Sequence, residues 1–216
     1  MVSVPTFPVV RDLASGYQLL ALPTRDREAL TVVSALRFLF AAYGPPLVLK
    51  SDNEFDAEPI AEVLARNRVC HLLSPPEFPR YNGAIEAGIG CLKTRIFYEA
   101  ARHDRPMRWT CDDLEAGLLQ SNELSRPNGH LEPNPDERWA GRVPIQEEER
   151  AAFQAAVQKR EADALKRLGF LPGIELSRRD RHAVRRLALA LALVDRRAIF
   201  QVRRRRFTPP FRLRFG

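Results

Sequence analysis

Residues 47–86 constrain the fold most, because short apolar runs alternate there with helical patterns. Leu47-Val48-Leu49 fits a buried strand and places Asp52 at the C-terminal end of that strand. A short helical pattern follows, and residues 69–73 form a second apolar run. A proline-rich loop then leads into a helix that carries Glu86. This order of strand, helix, strand, loop and helix predicts an α/β fold.

Two carboxylates, Asp52 and Glu86, stand at the boundaries of these elements. In open α/β sheets, ligands bind at the carboxyl ends of the strands. Two acids brought together there suit a divalent metal ion, because Mg²⁺ prefers oxygen ligands. On the residues alone, two simpler readings stay open: Asp52 could cap a turn, and Glu86 could be a first-turn glutamate favoured by the helix dipole.

Several sequence islands occur in an order and spacing that are specific only when taken together. They are Asp12-Leu13-Ala14-Ser15-Gly16-Tyr17, Tyr43-Gly44-Pro45-Pro46, Ser51-Asp52-Asn53, Glu54-Phe55, Ser74-Pro75-Pro76 and Asn82-Gly83-Ala84-Ile85-Glu86, followed by Arg126-Pro127-Asn128-Gly129-His130, Pro133 and Trp139-Ala140-Gly141-Arg142. Over residues 7–105, the sequence resembles the catalytic core of DDE transposases and retroviral-type integrases. A weaker resemblance, to bacterial insertion-sequence transposases, reaches residue 155.

The resemblance implies a ribonuclease-H-like fold, with a mixed sheet of five strands and helices on both faces. It also implies DNA cleavage and strand transfer with Mg²⁺ or Mn²⁺, by phosphoryl transfer assisted by two ions ~3.5–4 Å apart. Asp52 matches the family's second catalytic, metal-binding acid, and Glu86 matches the third. Lys93 matches a position that commonly touches DNA, although it could be only a surface lysine. Asn82 is expected to cap the Glu86 helix, in a loop that the family uses to shape the site.

Two departures from the family pattern bear on activity. Asn53 is followed at once by Glu54, so the glycine and one further residue that the family has between these positions are missing. As a result, 33 residues separate Asp52 from Glu86, where the family has thirty-five. A glycine there permits a backbone conformation that other residues resist. The first catalytic Asp would fall upstream of Met1, since Asp12 matches the second strand; a catalytic role for Asp12 is the less favoured alternative.

The first strand is therefore expected to be missing, which would leave a gap in the sheet. A truncated reading of a longer gene, a decayed transposase and repair of the sheet by the first residues all stay open. The predicted function is transposase-type strand transfer, impaired in this copy. The alternatives are a non-catalytic DNA-binding remnant or inhibitor of a full-length transposase, and a basic structural nucleic-acid-binding protein. Whether the chain is an enzyme is left open, with inactivity expected.

Charge is distributed unevenly along the 216 residues. Residues 151–216 hold 17 Lys and Arg against 5 Asp and Glu, a net +12, whereas residues 1–150 hold 17 against 22, a net −5. Such asymmetry indicates a polyanionic partner, here DNA. The run Arg203, Arg204, Arg205 and Arg206 is the predicted phosphate-binding patch, with a solvated tail as the simpler reading. A high-GC genome could explain the preference for Arg over Lys, but it does not explain the clustering.

The sequence is divided into a core-like domain (1–105), a helical extension (106–168) and a basic C-terminal DNA-binding region (169–216). A hairpin is expected over residues 7–22, with its turn at Ser15-Gly16. Helices are expected from a Thr24 cap to Gly44, from Asp112 to Leu124, from Glu147 to Arg167 and from Arg178 to Arg197. No apolar run is long enough for a membrane span, and three cysteines argue against a disulfide framework. We therefore expect a cytoplasmic protein, nucleoid-associated when bound to DNA, and a homo-oligomer if functional.

Overall fold

The computed structural model describes residues 8–24, 28–76, 79–127, 129–171 and 173–196. It divides into two compact units, residues 1–154 and residues 155–216. The predicted phosphate-binding patch, Arg203 to Arg206, lies outside the described residues.

A hairpin near the start of the first unit joins strands β1 (Val9–Arg11) and β2 (Gln18–Ala21), which pair antiparallel. The Asp12 carboxylate accepts hydrogen bonds from both the backbone N–H and the hydroxyl of Ser15, each at 2.6 Å. Gly16 completes the turn with φ of +82°, a conformation that favours glycine. The predicted hairpin is confirmed.

The next elements are helix α1 (Ala29–Tyr43), strand β3 (Val48–Ser51), helix α2 (Glu58–Arg66) and strand β4 (Cys70–Leu73). Strands β3 and β4 are parallel, and α1 and α2 pack on each other. Gly44 ends α1 as predicted, with φ of +82° and its N–H bonded to the Phe40 carbonyl. The predicted cap was wrong: Glu28, not Thr24, precedes α1, because the helix begins only where the periodic apolar residues begin.

These helices and strands share one apolar core. Its buried members come from α1, α2 and the residue before β4: Val33, Leu36, Ile60, Val63, Leu64 and Val69. Burying an aliphatic side chain of this size stabilises a fold by about 1.5–3 kcal/mol. The core therefore fixes the strand end that carries Asp52.

A second core forms where helices α3 (Gly83–Arg102) and α4 (Cys111–Glu123) pack on each other and on the hairpin. Leu92, Ile96 and Leu114 are its buried residues. The Asn122 side-chain amide accepts from the Gln18 backbone N–H at 2.8 Å and donates to the Gln18 carbonyl at 3.1 Å. One amide side chain thus satisfies both backbone groups of a buried strand residue, as a neighbouring strand would.

Helix α5 (Pro135–Ala140) carries Trp139 from the downstream sequence islands. The Trp139 ring stacks on Tyr17, with centroids 5.3 Å apart, and meets the edge of Tyr43 at 5.5 Å. The Arg142 guanidinium lies 3.4 Å from the centre of the same ring. This packing gives the Trp139–Arg142 island a structural role, since it fastens the segment after the core to the hairpin and to α1.

Helix α6 (Glu147–Arg167) begins in the first unit and ends in the second, which also holds α7 (Arg178–Asp195). Both helices start where the sequence predicts. Within the second unit, ion pairs join them: Arg160 bonds Asp195 at 2.7 Å, and Arg185 bonds Glu161 at 2.8 Å. Ala188, Leu189 and Ala192 are buried on α7.

The described chain is a mixed α/β structure, mostly helical, with two small sheets. In place of the expected five-stranded sheet, the described residues hold two separate strand pairs, β1–β2 and β3–β4. The five-strand order, the absence of a first strand and the three-domain division stay predictions. None of the helices in the described ranges has the length and apolar character that a membrane crossing needs.

Candidate functional site

Asp52 lies directly after β3, with an exposed side chain. A short 3₁₀ turn, Asn53–Phe55, follows, in which the Phe55 N–H donates to the Asp52 carbonyl at 3.2 Å. Phe55 packs against the α1–α2 core and so anchors the turn. No residue from Asp52 to Asp56 has a positive φ, so the shortened loop passes this point without the conformation that glycine favours.

Asn82 connects this loop to α3. Its side-chain N–H donates to Asp52 Oδ1, and its amide oxygen accepts from the Ser74 hydroxyl at 2.8 Å. Asn82 does occupy the position before α3, but its side chain makes no capping hydrogen bond to that helix. The expectation of a side-chain cap was therefore wrong, because both ends of the amide are used by residues from distant parts of the sequence.

Glu86 lies in the first turn of α3, four residues after Asn82, and its side chain is exposed. The position of Asn82 beside Asp52 brings this turn to the C-terminal end of β3. Neither Asp52 nor Glu86 forms an ion pair with Lys50, although the charges of both acids work against the lowering of the pKa of Lys50 by burial. The structure thus brings the two predicted acids to the same edge of the parallel strand pair.

Lys50, two residues before Asp52, was not among the residues that the sequence pattern indicated. Its half-buried ammonium donates to the Tyr81 carbonyl and lies 4.0 Å from the centre of the Tyr81 ring. Burial lowers the pKa of Lys50, and the charges of Asp52 and Glu86 partly oppose that effect. The available signal was strand periodicity, since Lys50 and Asp52 are two residues apart and side chains at that spacing point to the same face.

Two serines join the C-terminal ends of β3 and β4 by hydrogen bonds. Ser74 donates to the Ser51 carbonyl from its backbone N–H at 2.9 Å and from its hydroxyl at 3.0 Å. The Ser51 hydroxyl lies 2.7 Å from Nε2 of His71.

A third acid does not join the pair in the described parts of the chain, where no three His, Cys, Asp or Glu side chains form a metal-binding group. Asp12, the less favoured candidate for a catalytic acid, accepts the two hydrogen bonds from Ser15 in the hairpin turn.

A centre for Mg²⁺ or Mn²⁺ is implied by the family resemblance, so its fit to these residues can be tested. The donors are two carboxylates, one of which already accepts an amide N–H. Two-ion catalysis places two dications ~3.5–4 Å apart, which requires several carboxylate oxygens free to bind them. The described residues therefore do not fit a two-metal centre.

Lys93 lies on α3, seven residues after Glu86, and is half-buried. Seven residues are two helical turns, or about 10 Å along the axis, on the same face. This placement agrees with a surface that extends from the acid pair along α3. The role of Lys93 in DNA contact stays a prediction.

The comparisons with known proteins give a result for the fold. No protein-family model matches the sequence, and no curated protein is similar to it. The chain is similar to a chain of the simian T-cell lymphotropic virus intasome, solved by cryo-EM with the PP2A regulatory subunit B56 gamma. That match has a TM-score of 0.55 and 20% identity over 64% of this chain and 49% of the other. This chain thus spans about half the length of the intasome chain.

Two integrase catalytic core domains are also similar. The BIV domain is 24% identical, over 61% of this chain and 83% of that domain, with a TM-score of 0.49. The HTLV-2 domain, solved with magnesium in a dimeric form, is 16% identical over 62% and 82%, also with a TM-score of 0.49. At these identities the likeness is one of fold alone, and it rests on the intasome chain, because the TM-scores of the two core domains lie below 0.5.

Proposed function

We propose that this chain is a DNA-acting protein of the integrase and transposase type that does not cleave or join DNA strands by itself. The observation that carries the proposal is the incomplete acid group at the end of β3. Asp52 follows β3 and Glu86 lies in the first turn of α3, and no third acid joins them among the described residues. The fold and the order of the sequence islands support the family part of the proposal, and the acid group supports the inactive part.

DNA is the proposed partner because of charge. The net charge of +12 on residues 151–216 favours a polyanion, and arginine makes bidentate contacts to phosphate. A protein of this kind would bind DNA in the cytoplasm, associate with the nucleoid, and self-associate or join a complete transposase. In that assembly it would occupy DNA or a subunit position without contributing a competent centre.

A plasmid-nicking assay tests this proposal. The purified full chain is incubated with supercoiled plasmid and Mn²⁺, beside an Asp52→Asn/Glu86→Gln double variant that removes both acids. We expect equal, background conversion to open circles by the two proteins, together with a mobility shift of duplex DNA by both. Nicking by the unaltered chain that the double variant lacks would contradict the proposal and establish a working centre.

A further inference from the structure

We propose that the tip of the α6–α7 helix pair is a DNA-inserting wedge, whose apolar side chains enter between base pairs while flanking arginines hold the phosphates. The wedge consists of Leu168, Leu171 and Ile174, which lie between the end of α6 and the start of α7. The inference rests on the proposed DNA partner and names how this unit would contact it.

The two helices of the second unit lie side by side, with their connection at one end. Arg185 of α7 bonds Glu161 of α6 at 2.8 Å. Arg160 of α6 bonds Asp195, the last residue of α7, at 2.7 Å. Residues 168–177 therefore form the tip at the end of the pair that lies away from Asp195.

Two backbone hydrogen bonds give this tip a defined shape. At the end of α6, the Phe170 N–H donates to the Leu165 carbonyl at 3.0 Å, a bond that closes the helix C-terminus. Further along, Gly173 has a φ of +79°, and the Ile174 N–H donates to the Leu171 carbonyl at 3.4 Å. A turn of four residues brings its first and last residues within about 7 Å, so Leu171 and Ile174 are neighbours.

The apolar side chains of the tip are exposed to solvent. The exposed fraction is 73% for Leu171, 53% for Ile174 and 41% for Leu168. Within the described part of the second unit, the exposed large apolar side chains all belong to this tip. Exposed apolar side chains that are grouped in one place, in contrast to scattered ones, mark a contact surface.

The flanks of the tip are basic. Residues 166–181 hold five Lys and Arg against two Asp and Glu, a net charge of +3. Arg167 at the end of α6, and Arg178 and Arg179 at the start of α7, are exposed. The charge favours a polyanion, and the apolar tip requires that this polyanion also accept apolar side chains.

Duplex DNA meets both conditions. Proteins that kink DNA insert side chains such as leucine and isoleucine between base steps, and arginine binds the phosphates beside them. The cost of unstacking a step is offset by the contacts that the kinked duplex gains. An anionic membrane suits the tip less, because a helix that binds a membrane surface presents an apolar face along its length, whereas here the exposed apolar side chains are confined to one end.

DNA bending by the full chain tests the inference. It is measured by fluorescence resonance energy transfer between dyes at the two ends of a short duplex with a central TA step, which unstacks easily. We expect the unaltered chain to kink the duplex by about 20–90° and so to raise the transfer efficiency. The Leu171→Ser/Ile174→Ser variant should still bind, with an unchanged salt slope because neither residue contacts phosphate, but transfer should stay at the level of free duplex.

Two further variants separate insertion from phosphate contact. Leu131→Ser/Val143→Ser removes two exposed apolar side chains from the first unit and should bend DNA as the unaltered chain does. Arg178→Gln/Arg179→Gln should weaken binding and lower the slope of log affinity against log salt by about two, the value for two phosphate contacts.

Duplex bound by the unaltered chain without any rise in transfer would overturn the inference and leave the proposed DNA partner in place. This readout needs no variant, so it does not depend on the folding of one. Failure of the unaltered chain to bind duplex at all would contradict both the inference and the proposed partner.

Bending that persists in the Leu171→Ser/Ile174→Ser variant would also overturn the inference. So would binding of phosphatidylserine vesicles by the unaltered chain that this variant loses while it still bends DNA, which would assign the tip to a membrane surface.

Discussion

Asp113 is a buried carboxylate, 2% exposed, at the start of α4. Its two oxygens accept from the Arg105 guanidinium at 2.8 and 3.0 Å, and one of them also accepts from the Thr110 N–H at 2.7 Å. Asp113→Asn should lower the free energy of unfolding by about 2 kcal/mol, because a buried guanidinium contact loses its charge partner. Urea unfolding followed by circular dichroism measures the change.

The matched control is Asp112→Asn, an exposed acid in the same helical turn, which should change stability by less than about 0.5 kcal/mol. Equal losses for the two variants would show that helix charge, and not the Arg105 contact, determines the effect.

The same contact has a pH dependence with a defined sign. The Arg105 hydrogen bonds, followed by those from Thr110, hold the pKa of Asp113 below its ordinary value of 3.8. A carboxyl group with a depressed folded pKa contributes stability that is fully present above the unfolded pKa and is lost as pH falls through the folded one. The stability difference between the unaltered chain and Asp113→Asn should be constant between about pH 5 and 7 and shrink below about pH 4.

The residues of the candidate site were predictable only in part. Asp52 and Glu86 follow from their positions at the ends of ordered elements, and the structure brings them to one edge. The bond from Asn82 to Asp52 spans 30 residues of sequence and depends on how α3 packs, so no local pattern indicates it. Strand periodicity relates Lys50 to Asp52, but the contacts of Lys50 with Tyr81 depend on the packing of a segment 31 residues away.

Helices α3 and α4 are in close contact at Gly117. A Cβ added there would lie 2.9 Å from Ile96 Cγ1 and 3.2 Å from the Ile96 backbone nitrogen. Gly117→Ala should therefore destabilise the chain by about 1–3 kcal/mol, because backbone cannot yield as a flexible side chain can. Thermal unfolding measures the loss.

Gly90→Ala, on α3, is the matched control, since open space surrounds its added methyl group. It should stabilise the chain by about 0.5–1 kcal/mol, because alanine is the better helix former. A stabilising effect at both positions would contradict the close approach of α3 and α4.

The elements themselves were largely predictable from sequence. The hairpin, the α2–β4 order and the starts of α6 and α7 follow from apolar periodicity and turn residues. The start of α1 did not, since Thr24 is a good cap residue but the helix begins at Ala29. Local sequence patterns also did not indicate which elements pack on each other. The hydrogen bonds between the Asn122 amide and Gln18, for example, join residues 104 positions apart.

At the scale of the whole molecule, the uneven charge predicts salt-dependent DNA binding. Substituting Arg204, Arg205 and Arg206 with Gln should weaken binding and reduce the slope of log affinity against log salt by about 2–3, the value for three phosphate contacts. Fluorescence anisotropy with a labelled duplex at several salt concentrations measures the slope.

A control with the same change in charge substitutes three exposed arginines of the first unit, Arg37, Arg66 and Arg108, with Gln. It should leave the slope within about one unit of the original value. Equal slopes for the two triple variants would show that net charge, and not the arginine run, sets the affinity.

The two separate strand pairs affect how the backbone amides exchange with solvent. The N–H groups of Cys70, in β4, and of Ser74, directly after it, are bonded to the carbonyls of Leu47 and Ser51, whereas the parallel register directs the N–H groups of the odd-numbered residues of β4 away from β3. In deuterated water, the amides of Cys70 and Ser74 should therefore exchange slowly. An assembly in which a further strand adds beside β4 would slow the amides of the odd-numbered residues, so isotope exchange along this segment would report when the sheet gains a strand.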